Sequence, residues 1–152
     1  MGQYAEAARA SREMIALSPN NPTRYIETAE LYMESQLPDS AVAVYAEGIR
    51  LNAASPQLYE LLARVCVRMG RTAAAESNFR RAIELDSRFA PAYFDLGTLY
   101  ASQDNNLAAI SAIEEGMRYG NPSADLLQLL RHLYTQTDQP GKAQALTERY
   151  QF

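Results

Sequence analysis

The chain has 152 residues, 47% of them apolar and 21% charged, with a formal net charge of −4. That length suits one domain with a sizeable core, and the acidic balance excludes a broad nucleic-acid surface, because phosphate binding needs a basic excess. Cys66 stands alone, which excludes an internal disulfide and a cysteine-based zinc site, and no apolar run approaches the roughly 18–20 residues that span a bilayer.

Every predicted element is a helix. The first is expected over 3–17, where Glu6, Arg9, Arg12 and Glu13 interrupt any apolar run, so the segment does not read as a secretory signal and a cytoplasmic protein is the default. Asn20-Asn21-Pro22 marks a turn, and helices follow over 22–35 and 39–52. The next, over 56–69, carries Tyr59, Leu62, Ala63 and Cys66 at i, i+3, i+4 and i+7, which makes one stripe. Gly70 ends it, and a helix over 72–86 follows with Ala75, Phe79, Ala82 and Ile83 on one face. Helices over 90–103, 106–119, 123–136 and 140–150 complete the chain, separated by Asp104-Asn105-Asn106, Gly120-Asn121-Pro122 and Asp138-Gln139-Pro140-Gly141. All seven prolines fall at these boundaries or in first turns, where a missing N–H is tolerated.

The helices repeat in pairs. Stepping by 34 residues from Ala7 gives Ala41, Ala75, Ala109 and Ala143. Other columns keep the same step: Tyr25, Tyr59, Tyr93, Leu127, and Tyr32, Cys66, Tyr100, Tyr134. Small residues form two more, Gly48, Ala82, Gly116 and Ala29, Ala63, Gly97. One period is therefore two helices, each about 20 Å long. The small columns let helix backbones approach near the low end of the 8–10 Å range.

This pattern resembles the tetratricopeptide repeat (TPR) family, whose signature of about 34 residues runs aromatic, Leu-Gly, Tyr, Ala, aromatic, Ala, Pro. Tyr93, Leu96-Gly97, Tyr100 and Ala109 show it best, and Tyr59, Leu62-Ala63, Gly70, Ala75, Phe79 and Ala82 supply it one period earlier. The resemblance implies an all-α fold, a right-handed α-solenoid of antiparallel helix hairpins. It divides residues 1–152 into a half repeat (1–21), three repeats (22–55, 56–89 and 90–123) and a shortened terminal repeat (124–152). Gly2 aligns with the turn inside a hairpin, so the first helix is read as a second helix without its partner. A capping helix at a natural start and a piece of a longer protein both fit that reading. Thr28 in place of leucine, Cys66 in place of tyrosine, and Arg131, Thr147 and Tyr150 in the last repeat depart from the pattern.

The resemblance also implies a function, a protein-interaction scaffold that holds a partner segment along the first helix of each hairpin. Carried onto this chain, that surface holds Glu27, Glu30, Glu34, Glu60, Arg64, Arg68, Phe94, Asp95, Thr98, Gln128 and His132. Glu27, Glu30 and Glu34 form an acidic edge, Arg64 and Arg68 a basic edge, and Phe94 an apolar anchor. The blander expectation is that Glu30 and Arg64 pair with each other, and that Glu60, Arg64 and Arg68 form an i, i+4 ladder worth tenths of a kcal/mol per pair. The clamp by which some TPR proteins hold a chaperone C-terminus has no match, because its places hold Ile26, Glu30, Leu61, Pro91 and Asp95.

No catalytic constellation is read. His132 is the only histidine and has no obvious partner. Cys66 lies on a buried stripe, and Glu114-Glu115 without histidine reads as a solvated face. No cofactor or metal is implied. Two alternatives to the scaffold are a homo-oligomer joined through the ends, where Met14 and Ile15 would be only half covered and Tyr150 and Phe152 exposed, and the TPR region of a larger enzyme.

Overall fold

Backbone chemistry sets the element ends. The structure is a computed structural model that describes the backbone of residues 2–52 and 54–151 and the side chains of residues 6, 7, 9–52 and 54–151. Among the described residues it holds nine helices and no strand: α1 (Gly2–Leu17), α2 (Pro22–Glu34), α3 (Pro38–Leu51), α4 (Pro56–Arg68), α5 (Thr72–Leu85), α6 (Ala90–Ala101), α7 (Asn106–Gly116), α8 (Ala124–Gln136) and α9 (Pro140–Tyr150). Proline occupies the first or second position of α2, α3, α4, α6 and α9, where its fixed φ suits the helix. Asn21 and Ser123 cap α2 and α8 by accepting from the amides of Thr23 and Leu126, which satisfies donors the helix itself cannot. The largest departure from expectation is α7, expected to reach 119 and ending at Gly116. Glycine favours the helix weakly, and the chain there tightens into the bonds Arg118 N–H to Glu115 and Tyr119 N–H to Gly116, at 3.1 and 3.0 Å.

The turn inside each hairpin is built the same way each time. Gln36, Gly70, Asp104 and Asp138 take φ values of 61°, 71°, 58° and 57°. The next amide in each case reaches back to the carbonyl of Tyr32, Cys66, Tyr100 or Tyr134, at 2.9, 2.8, 3.0 and 2.8 Å. This six-residue closure satisfies the last carbonyls of the helix and reverses the chain. Between hairpins the amides of Asn52, Asp86 and Gly120 bond to the carbonyls of Gly48, Ala82 and Gly116 at 2.8, 3.0 and 3.0 Å. The Tyr25 hydroxyl donates to the Pro19 carbonyl and the Tyr93 hydroxyl to the Ser87 carbonyl, at 2.8 and 3.1 Å. Tyr25 and Tyr93 thus each tie the start of a hairpin to the turn before it.

The helices gather in two compact units, Met1–Asp86 and Ser87–Phe152. In the first, α1 packs on α2, α2 on α3, α3 on α4 and α4 on α5, and α2 also meets α4. In the second, α6 packs on α7, α7 on α8 and α8 on α9, and α6 also meets α8. Sequential neighbours plus a contact between alternate helices is the pattern of stacked hairpins. The small columns sit at the crossings: Ala41, Ala75 and Ala109 are fully buried, and a Cβ on Gly48 would lie 2.7 Å from the Tyr25 ring. Tyr25, Tyr45, Phe79 and Leu58 fill the first core, Ile113 and Leu130 the second. At the first helix, where both were expected to be half covered, Met14 is exposed and Ile15 is buried. Tyr150 is half-buried, and Phe152 lies outside the described residues.

Candidate functional site

In the first unit a trough of about 280 Å³ runs between α2 and α4. Glu30, Met33 and Glu34 form one wall, and Leu61, Arg64, Val65 and Arg68 the other. Each set falls at i, i+3, i+4 or i+7, so each wall is a single helix face. Tyr45 of α3 lies at its base. A second recess of about 230 Å³, lined by Gln36, Pro38 and Met69, shares Met33 and Arg68 with the trough.

Four of the residues expected on this surface, Glu30, Glu34, Arg64 and Arg68, meet in the trough. Two others do not line it. Glu27 is exposed and accepts from Arg24 on its own helix at 2.9 Å. Glu60 is buried, with 6% of its side chain exposed, and pairs with Arg64 at 3.5 Å. A buried carboxylate needs such a partner, so Arg64 has a structural duty besides facing the trough. Glu30, Glu34 and Arg68 make no ion pair among the described residues.

The sequence reading missed Tyr45, which lies on a second helix rather than a first. Its side chain is 2% exposed. Burial, and then the carboxylates of Glu30 and Glu60, push its hydroxyl pKa well up against the pull of Arg64. The phenol therefore stays protonated and able to donate. Among the described residues it takes no hydrogen-bond partner, and its oxygen is not fully shut off from solvent.

The candidates in the second unit are placed differently. Phe94, expected as an apolar anchor, is half-buried against α7: a Cβ on Gly116 would lie 2.6 Å from its ring. Thr98 is exposed and donates its hydroxyl to the Phe94 carbonyl at 3.0 Å. Asp95 is half-buried, and Gln128 and His132 are exposed on α8. Cys66 is buried, and desolvation raises its thiol pKa, which keeps it protonated and unreactive.

A network unseen in the sequence joins α7, α8 and α9. The Tyr134 hydroxyl and the Lys142 ammonium both donate to Glu114 Oε1, at 2.7 and 2.8 Å. Burial works against the Glu114 carboxylate, but the bonds from Lys142 and Tyr134 and the lysine charge prevail, and its pKa is lowered. This network borders a cleft of about 310 Å³.

Helices paired into hairpins, stacked with a constant register of turns, small crossings and tyrosine ties, make an all-α solenoid of the helical-repeat class. Tetratricopeptide repeat models match residues 1–65 and 56–89, and the chain belongs to the tetratricopeptide repeat family. It is 22% identical over 142 residues to the TPR repeat-containing protein YpiA of Bacillus subtilis (strain 168), covering 93% of this chain and 34% of that protein. The chain thus spans about a third of the length of the curated relative it matches. Among solved structures, MamA superposes with a TM-score of 0.80 at 24% identity, over 97% of this chain and 86% of that one. YrrB, described as a TPR protein with an unusual peptide-binding site, gives a TM-score of 0.69 at 18% identity, over 97% and 76%. At these identities the likeness is one of fold. The fold is that of protein-interaction scaffolds, which are typically non-catalytic.

Proposed function

We propose that this chain is a protein-interaction module that holds an extended segment of a partner protein in the trough between α2 and α4. The observation that carries this reading is the trough's chemistry. Unpaired Glu30 and Glu34 face Arg64 and Arg68 across an apolar strip of Met33, Leu61 and Val65, with the Tyr45 hydroxyl free at the base. An extended peptide has alternating side chains for charged rims and apolar strip, and backbone carbonyls to accept from the phenol. Met33 in one wall, and Met69 in the adjoining recess, let the surface adapt to different side chains.

The test is binding of the intact chain to an immobilised library of blocked peptides carrying acidic and basic residues around an apolar centre. Arg68→Glu is the informative variant, since Arg68 is exposed and supports no buried carboxylate. Arg64→Glu would set a second carboxylate beside buried Glu60 and confuse binding with folding. Retained peptides are expected to lose about ten-fold in affinity to Arg68→Glu while the thermal melt stays unchanged. Tyr45→Phe is expected to weaken them as well. Equal capture by both variants would remove the trough from the reading.

A further inference from the structure

We infer that the cleft bounded by α7, α8 and α9 is a second binding site, and that it takes carboxylate side chains from an acidic segment of a partner protein. Three cationic heads line it, Arg118, Lys142 and Arg149, beside an apolar wall of Met117 and Leu146. Their partners do not exhaust them. Arg118 engages Glu115 through one nitrogen, Nη1, at 3.1 Å. Lys142 uses one of its three N–H groups on Glu114. The Arg149 guanidinium stacks on the Tyr150 ring, 5.3 Å from its centre, and makes no ion pair among the described residues.

The cations at this cleft outnumber the carboxylates. Glu114, the one carboxylate on the lining, already accepts from Tyr134 and Lys142 on the same oxygen. Counting Glu115 as well, three positive heads stand against two negative ones, on a chain whose net charge is −4. A ligand that completes this site must bring oxygen acceptors and negative charge. Hairpin packing does not demand the cation. Lys142 is the only lysine, and the residues one, two and three periods earlier are Ala108, Ala74 and Ser40.

The chemistry favours an acidic peptide over a nucleic acid. A phosphate backbone needs an extended row of cations, whereas this cleft offers three heads around an apolar wall, and about 310 Å³ is room for one or two side chains. Glutamate or aspartate beside an aliphatic residue matches both halves of the lining.

The probe is a fluorescent, blocked peptide of alternating glutamate and leucine, with its glutamine counterpart as comparator, titrated against the intact chain. The glutamate peptide is expected to bind saturably and more weakly as salt rises, and the glutamine peptide not to bind. Arg149→Gln and Lys142→Gln should each weaken binding about ten-fold. Arg149→Gln removes no bond between helices, so an unchanged melt shows that the loss is not unfolding. Arg68→Gln, in the trough, should leave this binding unchanged. The inference is overturned by no saturable binding at millimolar concentration, by equal binding of the glutamine peptide, or by indifference to Arg149→Gln. It is overturned equally if Arg68→Gln abolishes the binding, or if a single-stranded oligothymidylate binds with the same dependence on Arg149 and Lys142.

Discussion

Gln36, Gly70, Asp104 and Asp138 share one backbone conformation, but they meet its steric cost differently. A left-handed residue with a side chain costs about 1–2 kcal/mol, less for aspartate, and glycine avoids the clash. Gln36 is therefore the most strained of the set. Gln36→Gly is expected to stabilise the chain by about 0.5–1 kcal/mol, the relief being partly offset by a freer unfolded chain, and chemical denaturation would measure it. Gly97 shows the converse constraint. A Cβ there would lie 2.5 Å from Ile113 Cγ1 and 3.1 Å from the Ala109 carbonyl oxygen, so the α6–α7 crossing leaves it no room. Gly97→Ala should destabilise despite the roughly 1 kcal/mol that alanine gains in a helix, seen as a lowered melting temperature. Gly70 and the Asp-rich turns announce these reversals in the sequence. Gln36 carries no local signal, and only its place one period before Gly70 marks it.

At the scale of the helix, the alanine column was legible because contact between two rods leaves a one-dimensional trace at a fixed step. Ala75 is fully buried on α5, and Ala75→Leu should overpack its crossing at about 1–3 kcal/mol, measured by thermal melting. The trough was legible for the same reason, since each wall is one helix face. The cleft on α7–α9 was not. Its network joins residues 20 and 28 positions apart on three helices, and Glu114-Glu115 alone looks like a solvated pair. Tyr45 was missed because a tyrosine on a second helix reads as core until its unpartnered hydroxyl is located. The Glu114 tie makes a further prediction. Both its partners are hydrogen-bonded to an ionised carboxylate, but Glu114 and Lys142 are 40% and 52% exposed, so screening cuts its worth to about 1 kcal/mol. Because the folded pKa lies below the ordinary 4.5, that contribution is present above about pH 4.5 and is lost as pH falls through the folded value. Glu114→Gln should thus be less stable than the parent chain at pH 7, and the gap should narrow as the pH falls below about 4.5 in paired denaturant titrations.

Across the whole molecule, stability in a stack of hairpins comes from each hairpin and its immediate neighbours, so protection should follow local burial rather than be shared evenly. The described side chains of α1 include one buried residue, Ile15, and those of α9 one, Leu146. By contrast α4 and α6 each bury six. Helices with little buried apolar surface open locally at a fraction of the global free energy. Hydrogen exchange of the native chain should therefore be fastest in α1 and α9 and slowest in α4 and α6, with the turn-closing amides of Arg71 and Asn105 slower than that of Gln139, which closes α8 just before α9. Uniform protection along all the helices would mean that the chain opens only as a whole, and that coupling between hairpins outweighs the burial within each one.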